Sequence, residues 1–322
     1  KSFGNAREAT NLRDIVKINQ AKRIQSFENP SKEDIFTILP QDFPNYGKVK
    51  ENNLAKSSSQ VISPKDKLYQ LVGIDDIRRQ FEVYVEMSHY CKENPQSEIA
   101  TSFRPHMAFL GNPGTGKTTV ARVFAEILCA EGLLSNSNIV TVMPSDLIGE
   151  HLGESGPKAR GQFERAKGGI LFIDEAYQLC RKDQTLGGDQ YGKEVITELL
   201  TFMEDERDTI VILAGYTEEI RYLIEKGNPG LSSRVTNEFV FEDYGPDVLF
   251  NILLKKLREH EVSDSFKERM WQIIEHEYRC RNPKVWGNAR TIENYATEIF
   301  KNYLVKHKAK GIIDCDCIPE KL

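Results

Sequence analysis

Gly111-Asn112-Pro113-Gly114-Thr115-Gly116-Lys117-Thr118 gathers three glycines, a lysine and a threonine hydroxyl into eight positions, fitting the pattern G-x-x-x-x-G-K-[ST]. The stretch stands between an apolar run and a run of helical character, the setting in which such a loop wraps an anion. Glycines let the backbone curl so that successive N–H groups face one phosphate, and the helix that follows adds the positive end of its dipole. In that setting Lys117 neutralises charge on β- and γ-phosphates, Thr118 offers its hydroxyl to Mg²⁺, and Thr119 continues the cradle. A glycine-rich turn with an incidental lysine is the plainer alternative.

Ile170-Leu171-Phe172-Ile173-Asp174-Glu175 is the second constellation, four large apolar residues followed by two acids. A buried strand ending this way presents its carboxylates at the C-terminal end, where ligands of parallel sheets lie. Paired with the upstream loop, Asp174 is expected to hold Mg²⁺ through water. Glu175 is expected to orient and polarise an attacking water. Solvated acids at an ordinary strand exit are the alternative. Together the two segments imply ATP and Mg²⁺ as ligands and hydrolysis as the reaction.

A sheet must bring these segments together, and the pattern supplies one. From His106 onward, apolar runs (106–110, 138–142, 169–174, 209–214 and 237–241) alternate with helical stretches (119–129, 157–167, 191–204 and 218–226). Alternation of this kind predicts a parallel sheet sandwiched by helices on both faces. After Gly245-Pro246 only helical patterns follow, over 246–260, 264–280 and a last stretch from about 292. The expectation is an α/β nucleotide-binding domain over 67–244 and a small all-α lid with a C-terminal tail over 245–322. Residues 67–90 return to helical periodicity and lead into the α/β domain.

The two ends of the chain share a repeat. Phe3-Gly4-Asn5-Ala6-Arg7 matches Trp286-Gly287-Asn288-Ala289-Arg290, and an amphipathic lysine-containing stretch follows each copy. Residues 1–27 are therefore expected to be the last lid helix of a preceding, similar domain. The alternative is a plain N-terminal helix. Residues 28–66 read as a short capped helix at 31–39 and a polar linker rich in serine and proline.

Composition narrows the class. The 322 residues are 39% hydrophobic and 28% charged, ordinary for a globular protein, and the formal net charge of −5 disfavours a nucleic-acid partner. No stretch is long and apolar enough to span a bilayer. The six cysteines are scattered without a CxxC pair, which fits a reducing, cytoplasmic setting. Cys315 and Cys317 form a CxC with no companion His/Cys cluster close in sequence.

The two motifs, with ESGPKARGQFERAKGGILFIDEAY between and around them and VILAGY, NPGLSSR and GNAR downstream, resemble the AAA+ family. The similar subgroup contains red-type Rubisco activases and stage V sporulation protein K, and the resemblance covers roughly residues 67–307. It implies the P-loop nucleoside-triphosphatase (ASCE) strand order, a helical lid and ring oligomers, usually hexamers, with nucleotide between subunits. It makes Arg234 in NPGLSSR an arginine finger directed at a neighbouring subunit's γ-phosphate. It makes Arg290 in GNAR the lid arginine that meets the nucleotide of its own subunit. Tyr216 takes the place of a polar sensor, with Thr217 as its understudy, and Val72 and Gly73 come near the base. The pore loop of the family usually carries an aromatic, where this chain has His151 beside Leu152; that departure puts polypeptide threading in doubt. The leading function is a Mg-dependent ATPase that remodels a protein client. A scaffold assembled by ATP with little turnover is the alternative, and a nucleic-acid remodeller ranks below both.

Overall fold

The runs rich in Ile, Val, Leu and Phe become strands because branched and aromatic side chains fit a pleated surface buried on both faces. The computed structural model describes residues 63–151, 153–180, 188–282, 286–308 and 310–319, all within one unit, Ser63–Leu322. The repeat at 3–27, the helix expected at 31–39, most of the linker and Leu152 lie outside the described residues. Five strands, β1 (His106–Gly111), β2 (Ile139–Val142), β3 (Ile170–Ile173), β4 (Ile210–Gly215) and β5 (Val235–Phe241), form one parallel sheet in the order β2-β3-β4-β1-β5. β1, β3 and β4 are buried at every position.

Successive strand residues point to opposite faces, so each strand feeds two cores. Ala108, Leu110, Leu171, Ile173, Val211 and Leu213 pack against helices α3 (Ser155–Arg165) and α4 (Gly188–Asp205). Met107, Phe109, Ile170, Phe172 and Ile212 pack against α1 (Asp75–Glu93) and α2 (Lys117–Ala130). α5 (Thr217–Tyr222) follows β4 and continues into a π-helical turn, Leu223–Gly227. This is the sandwiched parallel sheet that the alternating pattern predicts.

Among the described residues the lid comprises three α-helices, α6 (Pro246–Lys256), α7 (Asp264–Cys280) and α8 (Ala289–His307), around its own core of Leu249, Leu253, Phe266, Met270, Ile274, Ile292 and Ile299. Pro246 stands in the first turn of α6, where its missing N–H costs nothing, and Ser263 caps α7 by accepting the Phe266 N–H at 3.1 Å. No described helix is long and apolar enough to cross a membrane.

The structure departs from the sequence expectations in three places. The helical periodicity of 67–90 is broken between the short helix Pro64–Tyr69 and α1. Gly73 there has φ +76°, and a Cβ on it would meet the Tyr244 ring at 2.9 Å. Tyr244, assigned by sequence to the α/β domain, belongs to the lid core. The CxC gains a histidine through folding: His307 lies 2.9 Å from Asp316, while Cys317 is buried in the lid and no disulfide forms among the described cysteines.

Candidate active site

Segments leaving the C-terminal ends of the adjacent strands β3, β4 and β1 converge on one cleft of about 260 Å³. The β1 segment contributes Gly111, Pro113, Gly114, Gly116, Lys117, Thr118 and Thr119. Asp174, Glu175 and Tyr177 arrive from β3, Gly215 and Tyr216 from β4, and Ala289, Arg290 and Glu293 from α8 of the lid. Asn112 and Thr115 do not line it. The Thr115 hydroxyl donates to the Asn112 carbonyl at 2.8 Å, and the Asn112 amide donates to Asp243 at 2.9 Å, so both side chains brace the loop from behind.

The loop takes its shape from Gly114 (φ +73°) and from Gly116 (φ +91°), which caps α2. A Cβ at Gly114 would approach the Gly287 carbonyl oxygen to 1.9 Å, so the lid lies directly against the loop backbone. Three successive loop carbonyls are engaged on that side. Pro113 O accepts from the Asn288 amide at 3.3 Å, Gly114 O from the Ala289 N–H at 3.1 Å and Thr115 O from the Tyr244 hydroxyl at 2.7 Å. Among the described residues, no protein group accepts from the amides of Gly114, Thr115 or Gly116.

The Lys117 ammonium donates to the carbonyls of Gly111 at 2.7 Å and Asn112 at 2.8 Å. Burial brings its pKa down to about 8; Asp174 opposes that shift and Arg290 adds to it. Asp174 follows the last residue of β3 and its N–H donates to Val142 O at 2.9 Å, which fixes the turn. Glu175 sits in the left-handed region at φ 51°, and the Gln178 amide donates to its carboxylate. Tyr216 stands just before α5, its ring tilted against Tyr177 with centroids 5.8 Å apart, and Thr217 is outside the cleft lining. Arg290 lies in the first turn of α8, one turn before Glu293, which pairs with Lys256 at 2.5 Å.

These groups fit Mg·ATP. Three backbone donors without acceptors among the described residues, a lysine ammonium and a helix N-terminus suit the phosphates. A threonine hydroxyl and a carboxylate lining the same cleft are hard oxygen donors of the kind that suit Mg²⁺.

Arg234 is elsewhere. β5 runs parallel to β1, with Val235 opposite His106 and Phe241 opposite Gly111, so Arg234 sits at the N-terminal end of the sheet. A strand of this length puts it roughly 20 Å from the loop. There it borders a larger cavity, about 1090 Å³, that takes in Glu204, Arg207 and His106 but none of the loop or acid residues. Val72 and Gly73 do not line the cleft, and His151 is exposed on its loop with its N–H donated to Glu154. Sequence reasoning passed over Tyr177, Gln178, Asp243, Tyr244 and Glu293, and it used Asn288 only as a neighbour of Arg290. No local signal marks the first five; the asparagine shared by the two GNAR copies was the clue to the sixth.

Residues 107–242 match the model of the ATPase family associated with various cellular activities (AAA), and residues 1–53 match that of the AAA lid domain. A protein CfxQ homolog from Galdieria sulphuraria is 41% identical over 192 residues, 59% of this chain and 61% of its own length. The chloroplastic ribulose bisphosphate carboxylase/oxygenase activase of Cyanidioschyzon merolae is 40% identical, over 59% of this chain and 63% of its own. Stage V sporulation protein K of Bacillus subtilis is 35% identical over 230 residues, 70% of this chain and 69% of its own. The chain thus spans a little under two thirds of the first two relatives and slightly more of the third. With the glycine loop, the paired acids and the lid arginine around one cleft on a β2-β3-β4-β1-β5 sheet, the chain belongs to the AAA ATPase family.

Proposed function

We propose that the protein is a Mg²⁺-dependent ATPase that assembles into a ring, probed below by subunit mixing, and uses turnover to remodel a protein client. The observation that carries this reading is the split placement of its charges. Lys117, Thr118, Asp174, Glu175 and Arg290 line one cleft, while Arg234 lies at the other end of the sheet. An arginine so placed is too far from its own chain's phosphates and fits the site of an adjacent copy.

The loop amides and Lys117 hold the phosphates, and the Thr118 hydroxyl with Asp174 would hold Mg²⁺, which would supply charge neutralisation to the triphosphate. Glu175 aligns water for attack on the γ-phosphorus and takes its proton as the bond to the bridging oxygen breaks. Arg234 of the adjacent copy and Arg290 meet the negative charge on the transferring group. Tyr216, between the loop and the acids, touches the same space. The client is a protein because one relative is named for activating another enzyme, ribulose bisphosphate carboxylase/oxygenase, and the formal net charge of −5 disfavours nucleic acid. Cysteines that form no disulfide among the described residues fit a cytoplasmic setting. We assign residues 1–27 to the end of a lid belonging to a further AAA module, supported by the lid-domain match over 1–53 and the repeated GNAR.

Mixing tests the reading. Glu175→Gln and Arg234→Ala chains should each be inactive alone, yet regain ATP turnover when combined, because some interfaces then join an intact Glu175 to an intact Arg234. If no activity returns on mixing at concentrations where native mass shows mixed oligomers, the shared site is wrong. Should the Glu175→Gln chain still remodel a client, the scaffold reading takes its place.

A further inference from the structure

The carbonyls of Pro113, Gly114 and Thr115 all point to the lid side, and each has its own donor there. In a trans peptide the C=O and the following N–H are antiparallel. Fixing these three carbonyls therefore aims the N–H groups of Gly114, Thr115 and Gly116 the other way, away from the lid-side donors. Those are the amides that no protein group accepts from among the described residues.

The donors form one cluster rather than three separate contacts. Asn288 is fully buried; its amide reaches both Pro113 O and the Asp243 carboxylate, the latter at 2.9 Å, and its oxygen accepts the Tyr244 N–H at 3.0 Å. Asp243 also accepts from the Asn112 side chain at 2.9 Å. Tyr244 is buried, and the Gly116 position has room for no Cβ because the Tyr244 oxygen would lie 2.8 Å from it. Asn288 holds φ 47°, ψ −125°, a backbone that a non-glycine residue adopts only when its surroundings impose it. A glycine would sit there more easily, so the side chain is kept for its bonds. The N-terminal copy of the repeat carries asparagine at the same place, Asn5.

We infer that Asn288, Asp243 and Tyr244 are positioning residues for phosphate binding, orienting the loop amides through their carbonyls without touching the nucleotide. This rests on the ATPase reading above.

Asn288→Gly tests it, since it leaves the positive-φ backbone at ease and deletes only the side chain. Binding of Mg·ADP and Mg·ATP to the full chain, followed by calorimetry, should weaken about tenfold, the size expected for one or two lost hydrogen bonds. The relaxed backbone offsets part of the lost bonding, so the thermal midpoint should fall by only a few degrees. The affinity loss should persist at temperatures where the variant is fully folded, which a merely structural role does not give. Asp243→Asn, whose side-chain oxygen still accepts both N–H groups, should keep affinity within about threefold, whereas Asp243→Ala should fall in line with Asn288→Gly. Tyr244→Phe, which removes one bond and no bulk, is the second variant should glycine at 288 unfold the lid. Affinities of Asn288→Gly and Tyr244→Phe within twofold of the unaltered chain overturn the inference and leave the ATPase reading standing. Failure of the unaltered chain to bind either nucleotide overturns both.

Discussion

Arg234 and Glu204 are paired at 2.9 Å, with the arginine a quarter exposed and the glutamate largely so, at the end of the sheet remote from the loop. Such a pair contributes about 0–1 kcal/mol to stability. Glu204→Gln should therefore shift the urea midpoint little and leave turnover at least as fast as before. Arg234→Ala should lower kcat by about 10³-fold or more, the range for an arginine acting on a transferring phosphoryl group. Comparable losses in the two variants would show that the pair, and not the free arginine, matters.

Lys117 gives a pH signature. Its pKa is down at about 8, and it binds phosphate as the ammonium. Below pH 8 the free chain already carries that charge, and above it the charge must be restored on binding. The affinity for Mg·ATP should fall as pH rises through about 8, by up to about tenfold per pH unit, with uptake of a proton on binding. Calorimetry in buffers of different ionisation enthalpy reads the proton directly, and a flat profile between pH 7 and 9 would contradict it.

Glu175→Gln should lower turnover by about 10²-fold to 10⁴-fold, the range for a positioned general base. ATP binding should stay within about threefold, because the loop and Lys117 are untouched. Gln178→Ala should lower kcat more than it raises KM, since the Gln178 amide holds the Glu175 carboxylate rather than the phosphates. A change in KM alone would remove Gln178 from the reaction.

His106 predicts acid sensitivity. It is buried at the start of β1, accepts the Val211 N–H at 3.2 Å on Nδ1 and approaches Met203 O at 3.4 Å through Nε2, an arrangement for neutral imidazole. Burial pushes its pKa down to about 4 from 6.5, with the backbone contact to Met203 opposing and Arg234 and Arg104 adding. Between those values the unfolded chain binds the proton and the folded one does not, so stability falls as pH drops from about 6.5 to 4. The loss is of the order of 3 kcal/mol. Urea midpoints at pH 7 and 5 should show part of it, and His106→Gln should show a shallower slope.

The part of the site that was legible in sequence is the part whose chemistry forces residue type at short range. A phosphate loop needs glycine at Gly114 and Gly116 because of their dihedrals, and it needs lysine and a hydroxyl at fixed offsets, so four or five letters reveal it. The strands were legible for a similar reason, since burial on both faces demands unbroken apolar runs. Tyr244, Asp243 and Asn288 reach the loop from more than a hundred positions away, and tyrosine, aspartate and asparagine are common everywhere. The break at Gly73 escaped for another reason: apolar spacing continues through it, and only the Tyr244 ring reveals why the backbone must turn.

The strand order has a metric consequence. β3, β4 and β1 are consecutive in the sheet, and parallel neighbours lie about 4.8 Å apart. The sheet is therefore a ruler with marks at the acids, at Tyr216 and at the lysine loop, spaced one and two strand widths. A one-residue slip of β4 would turn Tyr216 to the opposite face without altering either end mark. Graduations fixed by backbone hydrogen bonding tolerate wide drift in the surrounding side chains, so the surface of this chain is free to vary while the gap across which a phosphoryl group moves is not.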